Sequence, residues 1–320
     1  MYKQLNPGQR YELAVYLKAG LKKTAIAKTM KVDRSTIYRE TKRNGGKKTY
    51  CASKAQERVN ARKQDYFRKK KLDENMMKII HNGLEKKWSP EQIRGRCKAE
   101  SKPMVSHETI YQYIWKNKAD GGNWWKHLRN SNKKYKKRYG TKDNRGQIAN
   151  RISIEQRPEL VNQKQRIGDW EIDTIIGKSH QGAIVTAVER KTNFMLMQKL
   201  NSKQAHPAKT AIINMFAPFK EHVFTITSDN GFEFTEHQQI AKKLNADYFF
   251  AHPYSSWERG LNEYQNKLVR QYIPKKTDFK NIETADIIEI QNQINNRPRK
   301  KLNFKTPNEL FFKQCGALVT

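Results

Sequence analysis

The chain has 320 residues, with 64 lysines and arginines against 31 aspartates and glutamates, which gives a net charge of +33. This length suggests two or three domains and enough residues for a packed core. The three cysteines, Cys51, Cys97 and Cys315, are too far apart for a disulfide framework or a zinc cluster, which favours a reducing compartment. No apolar run reaches membrane-spanning length, so we expect a cytoplasmic protein without a membrane partner.

The positive charge is concentrated in the first half of the chain. Residues 1–150 carry 39 basic and 13 acidic side chains, a net of +26, whereas residues 151–320 carry 25 and 18, a net of +7. A generally basic surface would not produce this asymmetry. It favours a polyanionic partner bound mainly by the N-terminal half, and nucleic acid is the polyanion that such basic regions bind.

Three short helical patterns open the chain and predict a helix-turn-helix DNA-binding domain over residues 1–45. Apolar residues recur at helical spacing over residues 9–19, a second helix follows over residues 24–30, and Asp33 can cap a third. An ordinary three-helix bundle has the same pattern, but the charge asymmetry and the polar third helix favour DNA. The third-helix side chains predicted to reach base edges and phosphates are Arg34, Ser35, Thr36, Tyr38 and Arg39.

A second helix-turn-helix-like DNA-binding domain is predicted over residues 86–128, after a basic helical linker over residues 46–85. Ser89 followed by Pro90 is a strong helix start, and Ser106 can cap the next helix. His107 has no partner at metal-ligand spacing, so we predict that His107 and Thr109 face DNA. A basic connector over residues 129–165 then leads to the last domain.

Residues 166–320 change to strand and helix patterns and form the last predicted domain, with helices at its C-terminal end. Strands are predicted at residues 169–176, 183–189, 194–200, 223–228 and 246–250. Helices are predicted at residues 206–216, 233–244, 257–272 and 283–295. Three consecutive strands followed by alternating helices and strands predict a mixed α/β sheet covered by helices, in the element order of a ribonuclease-H-like fold. The predicted fold class is therefore multidomain, with an all-α helix-turn-helix region before this α/β domain.

Three carboxylates of this domain are candidates for a shared metal site. Asp229 follows a strand beside a turn-forming Asn-Gly, Glu263 lies 34 positions later near the start of a helix, and Asp173 lies on the first strand. Carboxylates without a cysteine or histidine cluster suit Mg²⁺ or Mn²⁺ rather than zinc. Solvent exposure or helix capping would explain any one of these acids alone, but the three together favour a metal site.

Other charged residues lie close to these acids in the sequence. Glu171 and Glu233 are rival ligands, and Asp169, which shares the strand face of Glu171, is a weaker one. Lys267 and Arg270 follow Glu263 by four and seven positions, so they are predicted to share its helix face and to hold phosphates. An exposed basic stripe is the alternative interpretation of these two residues.

Several sequence blocks resemble the insertion-sequence-thirty family of bacterial transposases. The blocks in the last domain are residues 168–177 (GDWEIDTIIG), 225–234 (TITSDNGFEF), 251–263 (AHPYSSWERGLNE) and 295–300 (NNRPRK). In the N-terminal half they are residues 26–28 (IAK), 34–40 (RSTIYRE), 89–93 (SPEQI) and 106–111 (SHETIY). The resemblance implies a DDE transposase whose ribonuclease-H-like (integrase-type) domain acts on the ends of its own element. Its catalytic and metal-binding triad is carried over as Asp173, Asp229 and Glu263, with 33 residues between the last two.

This resemblance also implies a cofactor and partners. Two ions of Mg²⁺ or Mn²⁺ per active site would serve cleavage and strand transfer, one activating water or a 3′-hydroxyl and one stabilising the departing 3′-oxygen. The partners would be double-stranded DNA, as terminal inverted repeats and as target, and further copies of the chain in a homo-oligomer near the nucleoid. The chain departs from the family pattern at Ile172, where glycine is common, and at residues 264–267. Both departures leave the three carboxylates in place.

Two other functions fit parts of the pattern. A DNA-binding regulator with a degenerate catalytic domain would share the helix-turn-helix domains, but the intact acids argue against it. A ribonuclease-H-type nuclease would share the acids, but it would not need two DNA-reading domains. Metal-dependent nicking of a terminal-repeat duplex separates the transposase from the regulator, and cleavage of an RNA–DNA hybrid identifies the nuclease.

Overall fold

The computed structural model describes residues 4–69, 72–129, 148–178, 182–200, 202–253 and 255–316. The chain forms two compact units, Met1–Asp73 and Glu74–Thr320. None of the helices in the described ranges is both long and apolar enough to cross a lipid bilayer. Residues 130–147, which make up much of the predicted basic connector, lie outside the described residues.

The first unit is helical. It contains α1 Pro7–Lys18, α2 Lys23–Thr29, α3 Arg34–Arg43 and α4 Ala52–Lys69. Leu13, Ile26 and Ile37, one from each of the first three helices, are buried in a single apolar core. Asp33 accepts a hydrogen bond from the backbone N–H of Ser35 at 2.7 Å, so α3 begins after the predicted capping residue. The three predicted N-terminal helices are confirmed.

Residues 46–85, predicted as a basic helical linker, are divided between the two units. In the first unit, α4 packs on α1 through buried Ala55, and Arg10 of α1 donates a hydrogen bond to Gln56 at 2.8 Å. Arg10 also pairs with Glu40 of α3 at 2.8 Å, so one buried cation joins three helices. The next helix, α5 Glu74–Glu85, belongs to the second unit.

A helical region opens the second unit. After α5 it contains α6 Pro90–Ala99 and α7 His107–Ala119. Ser89 and Ser106 each accept a hydrogen bond from the backbone N–H three residues later, which confirms both predicted caps. The ring of His81 stacks on Trp124 with 4.3 Å between centroids, and its Nε2 lies 2.7 Å from the Tyr113 hydroxyl. These contacts hold α5 and α7 together.

Helix α6 of this region also packs against residues near the C-terminus. Arg96 of α6 makes two hydrogen bonds, at 2.9 and 2.7 Å, with the carboxylate of Glu309 on α13 Pro307–Gln314. Gln92 donates to the backbone carbonyl of Pro298 at 2.7 Å. A methyl group at Gly95 would lie 2.1 Å from the ring of Phe304, so glycine permits the close approach of α6.

The second unit is built on a five-stranded mixed sheet. Its strands are β1 Asp169–Ile176, β2 Ala183–Glu189, β3 Met195–Leu200, β4 Thr225–Ser228 and β5 Asp247–Phe250, in the order β3-β2-β1-β4-β5. The first three strands are antiparallel, and β4 and β5 are parallel to β1. This topology confirms the predicted ribonuclease-H-like fold, and β1 and β2 have the predicted bounds.

Helices cover both faces of this sheet. On one face, α9 Ala205–Phe216, α10 His237–Leu244 and α13 share an apolar core with Trp170 and Ile172 of β1. On the other face, α11 Gly260–Tyr272 and α12 Thr284–Asn295 share a second core with Ile175. Successive β1 side chains alternate between the two faces, which places the acids of β1 on the α11 side.

Two predicted helices of this unit begin later than expected. The helix predicted over residues 233–244 begins at His237, because Phe232–Phe234 forms a 3-10 turn that buries Glu233 and Phe234. The helix predicted from residue 257 begins at Gly260, after a 3-10 turn over Ser256–Arg259. Upstream of the sheet, α8 Glu159–Gln163 follows a 3-10 turn at Ile154–Gln156.

Candidate active site

The two predicted catalytic aspartates lie level with each other on neighbouring parallel strands. The register of β1 and β4 pairs Glu171 with Thr227, and Asp173 and Asp229 are each two residues further along. One guanidinium contacts both carboxylates. Arg259 Nη1 lies 3.6 Å from Asp173 Oδ1, and its Nη2 lies 3.4 Å from Asp229 Oδ2. The fold therefore brings the two acids together around a single cation.

Backbone and amide donors orient both aspartates. Asp173 Oδ1 accepts from the N–H of Thr174 at 2.9 Å, and Oδ2 accepts from Asn266 Nδ2 of α11 at 2.8 Å. Asp229 Oδ1 accepts from the N–H of Gly231 at 3.0 Å. Each carboxylate therefore has a fixed orientation in addition to its contact with the guanidinium.

Burial raises the pKa of Asp173 from 3.8 to about 6. The positive charge of Arg259 opposes this increase, and the negative charges of Asp229 and Glu233 add to it. The Asp173 carboxyl therefore exchanges its proton near pH 6, well above the range of an exposed aspartate. A bound cation would favour the ionised form.

The third predicted acid, Glu263, lies on α11 but does not join the two aspartates. Its Oε1 contacts Lys267 Nζ at 3.0 Å, and its side chain is 43% exposed. Within the described ranges, no three His, Cys, Asp or Glu side chains are close enough to hold a metal ion together. Arg259 precedes Glu263 by four positions and Asn266 follows it by three, so Glu263 lies on the helix face whose other members contact Asp173.

The acids of β1 that could rival these ligands have other partners. Glu171 is buried, forms an ion pair with Arg190, and accepts from the backbone N–H of Asn262 at 3.1 Å. Asp169 is fully buried and bonded to Arg166 at 3.0 Å. Both carboxylates therefore connect elements of the fold and are already neutralised by arginine.

Glu233 is a stronger rival. Its Oε1 accepts from the Thr174 hydroxyl at 2.5 Å and contacts Lys203 Nζ at 3.1 Å, whereas its Oε2 is buried without a hydrogen-bond partner among the described residues. A Cβ atom at Gly231 would lie 2.5 Å from that Oε2. The glycine after Asn230 therefore lets the Glu233 carboxylate lie directly against the turn that carries Asp229.

The two basic residues of α11 have different surroundings. Lys267 is 59% exposed, and its only ion pair in the described part of the chain is with Glu263. Arg270 is half-buried, and its Nη2 donates to the Ile176 carbonyl at the end of β1 at 2.8 Å. Burial lowers the pKa of Arg270. Lys267 is thus free to reach solvent, whereas Arg270 is held against the sheet.

In the first unit, the candidate DNA-binding residues lie on α3. Arg34, Tyr38 and Arg39 are exposed, and Ser35 and Thr36 are half-buried. Arg39 donates to the Ser35 hydroxyl at 2.6 Å. All five side chains therefore lie on the same short helix, whose other face carries buried Ile37.

The candidate residues on α7 are less distinctive. The side chain of His107 is 48% exposed and lies 3.8 Å from Glu108. The Thr109 hydroxyl lies 2.9 Å from the capping hydroxyl of Ser106. Thr109 therefore contributes to the start of α7, and His107 is a surface side chain.

Sequence reasoning missed two residues that contact the aspartates. Arg259 and Asn266 both contact Asp173, and Thr186 of β2 donates to the Asn266 amide oxygen at 3.1 Å. The helical spacing of residues 259, 263 and 266 could have identified them.

The chain is similar to known proteins over nearly its whole length. It is 46% identical over 313 residues to the transposase for insertion sequence element IS4351 of Bacteroides fragilis, covering 97% of this chain and 96% of the relative. It is 33% identical to transposase InsI for insertion sequence element IS30A of Escherichia coli K12, covering 96% and 82%. The chain belongs to the insertion-sequence-thirty family of transposases.

Two further similarities concern parts of this transposase. A helix-turn-helix domain model matches residues 1–44, which agrees with the first predicted domain and with DNA as a partner. A solved structure, the catalytic core domain of BIV integrase, is similar at 20% identity with a TM-score of 0.39, over 47% of this chain and 97% of that one. As a transposase, the enzyme is a DNA polynucleotidyl transferase, and a divalent metal cofactor is implied.

Proposed function

We propose that this transposase binds the terminal inverted repeats of its insertion sequence and catalyses metal-dependent strand cleavage and strand transfer. The observation that carries the proposal is the pair Asp173 and Asp229, level on parallel strands and sharing one cation at 3.6 and 3.4 Å. Two hard carboxylates with fixed orientation suit Mg²⁺ or Mn²⁺. The divalent metal implied by the family would be held by these two aspartates and Glu263, with two ions per site.

When bound, the metal would activate the attacking oxygen and stabilise the departing 3′-oxygen of an in-line phosphoryl transfer. The chain itself orients the ligands. Asn266 and the Thr174 N–H fix Asp173, and the Gly231 N–H fixes Asp229. Glu263 shares the helix face of Asn266, and in this proposal its carboxylate leaves Lys267 to join the aspartates at the metal.

The DNA contacts are divided between the two units in this proposal. The exposed side chains of α3 recognise the repeat through base edges and phosphates, which is how helix-turn-helix domains bind. In the second unit, Lys267 holds a phosphate beside the active site, and Arg270 supports it from the end of β1. His107 and Thr109 contribute surface contacts at the start of α7. Joining two element ends requires a homo-oligomer in the working complex.

The proposal is tested by incubating purified protein with Mg²⁺ or Mn²⁺ and a labelled duplex that carries the terminal repeat. We expect cutting at the element boundary by the unsubstituted protein and by Asp247→Ala, which removes an exposed acid at the start of β5. Asp173→Ala and Asp229→Ala should bind the repeat but not cut it. Retained cutting by either variant would refute that assignment, and specific binding without any cutting would favour a DNA-binding regulator.

A further inference from the structure

A cavity of about 1170 Å³ lies in the second unit, beside the turn that carries Arg259. Its walls come from the start of α6, residues 154–164, the first turns of α11 and residues 297–301. Trp257, Leu261 and Tyr264 line it, whereas Arg259 and Asn266 of the same stretch contact Asp173. One short stretch of chain therefore lies between this cavity and the candidate active site.

The cavity has a surplus of positive charge. Eight lysine or arginine side chains line it, against four glutamates. Each glutamate already contacts a basic side chain: Glu171–Arg190, Glu91–Lys300, Glu155–His252 and Glu258–His252. The lining cations without a carboxylate partner among the described residues are Arg129, Arg157, Lys164, Arg297, Arg299 and Lys301. A cavity with this balance favours an anionic ligand.

Two of these cations, Arg299 and Arg297, are buried without a negatively charged partner among the described residues. Arg299 is 4% exposed, and its Nε and Nη1 have no acceptor among the described residues. Its Nη2 donates to the Ile294 carbonyl at 2.9 Å. Arg297 is 2% exposed and donates to the amide oxygens of Gln92 and Gln271, both at 2.9 Å. Because a buried guanidinium without a counter-charge is costly, an anion that binds both arginines would be favoured.

Aromatic rings complete the site at its solvent side. Trp257 is 76% exposed although it is the largest type of apolar side chain, and Tyr264 is 42% exposed. The guanidinium of Arg129 lies over the Tyr264 ring at 4.6 Å. Exposed aromatic rings beside cations are the combination that binds bases and phosphates of unpaired nucleotides.

We propose that this cavity binds one nucleotide of the DNA strand that the active site processes. Arg297 and Arg299 hold its phosphate, and Trp257 stacks on its base. The identity of the strand rests on the proposed function, whereas the site itself rests on the buried arginines and the exposed rings. Holding a nucleotide beside the aspartates would fix the position of the neighbouring phosphodiester.

The test is calorimetric titration of the full chain, in EDTA, with thymidine 5′-monophosphate as the phosphorylated probe and with thymidine as the unphosphorylated one. We expect the phosphorylated probe to bind more tightly. Arg299→Gln should weaken that probe about tenfold and remove the difference between the two probes. Trp257→Ala, at an exposed position that is safe for folding, should weaken both probes. Lys242→Gln, an exposed cation on α10, should change neither.

Unchanged binding of the phosphorylated probe by Arg299→Gln would overturn the proposal. So would an equal loss in Lys242→Gln, which would indicate general electrostatic attraction. If Arg299→Gln fails to fold, Trp257→Ala tests the proposal instead. Unchanged binding of both probes by Trp257→Ala would then overturn it. Because EDTA removes the metal, the titration is independent of cutting. Asp229→Ala should bind the probe normally, so a failure of the cutting assay and a failure of this site are distinguishable.

Discussion

The carboxyl group of Asp173 contacts Arg259 and Asn266, and burial raises its pKa to about 6 although the charge of Arg259 opposes the increase. A metal ion binds the ionised carboxylate, so below the pKa it must displace a proton. An ordinary aspartate would be ionised throughout the range from pH 5 to pH 7. The decrease in metal affinity below about pH 7 therefore reports on the protonation of Asp173.

Mn²⁺ affinity should consequently fall as the pH is lowered through 6. With a pKa of about 6 for Asp173, we expect the affinity to be about tenfold weaker at pH 5 than at pH 7. Titration calorimetry at several pH values measures this. Asp173→Asn should bind more weakly and lose this pH dependence. A flat profile in the unsubstituted protein would contradict the assigned pKa or the role of Asp173 as a ligand.

Arg259 places a positive charge between the two carboxylates that would hold the metal. Like charges repel, so Arg259→Gln should raise Mn²⁺ affinity about tenfold at pH 7.5. The matched control is Arg58→Gln, an exposed arginine on α4, which should leave the affinity unchanged. Weaker Mn²⁺ binding by Arg259→Gln would show instead that the guanidinium is needed to hold the aspartates in position.

At the scale of elements, a buried carboxylate connects β1 with α11. Glu171 makes this connection, since it pairs with Arg190 and accepts from the backbone of Asn262, the residue before Glu263. Removing one partner of a buried ion pair leaves the other charge uncompensated. Glu171 is therefore a structural carboxylate in our account.

Glu171→Gln should lower the free energy of unfolding by about 3 kcal/mol and leave Mn²⁺ affinity unchanged. Denaturant unfolding and Mn²⁺ titration of the same preparation measure the two quantities. Glu221→Gln, an exposed acid of the same unit, should change neither. Loss of Mn²⁺ binding in folded Glu171→Gln would make Glu171 a ligand.

The elements themselves were largely predictable from the sequence. β1 and β2 have the predicted bounds because their apolar runs end at acids and glycines, and the caps at Asp33, Ser89 and Ser106 follow local rules. The late start of α10 was not predictable, because it depends on burying Glu233 against Gly231, a tertiary contact.

Side-chain pairings in the site were less predictable than the elements. Spacing placed Asp173, Asp229 and Glu263 on the right elements, but it could not show that Arg259 lies between the aspartates or that Glu263 pairs with Lys267. Such pairings depend on how α11 packs on the sheet. The same holds for the buried Arg297, whose Nε donates to Gln92 of α6, and for the buried Arg299, which donates to the Ile294 carbonyl.

At the scale of the whole molecule, the chain separates into two compact units with different chemistry. The first carries the helix-turn-helix that matches the domain model, and the second carries the aspartates. Recognition of the repeat and binding of metal should therefore respond to different substitutions. A substitution that weakens binding of the repeat but not of the metal, or the reverse, would support this division between the two units.

Arg34→Ala, on α3, should weaken binding of the terminal-repeat duplex about tenfold and reduce its salt dependence by about one phosphate contact. Mn²⁺ affinity should stay the same, because the proposed metal ligands belong to the other unit. Fluorescence anisotropy at several salt concentrations measures the DNA affinity. Lys242→Ala serves as the control in the second unit, and an equal loss of DNA affinity there would contradict the assignment of recognition to α3.

The identity of the third metal-binding carboxylate is tested most directly by comparing Glu263→Gln with Glu233→Gln in the boundary-cutting assay with Mg²⁺. Both changes replace a glutamate by glutamine and remove one negative charge, so they are matched in charge and shape. Our account predicts that Glu263→Gln binds the repeat without cutting it, whereas Glu233→Gln still cuts at the element boundary. Cutting by Glu263→Gln, together with loss of cutting by folded Glu233→Gln, would contradict the account and make Glu233 the third carboxylate.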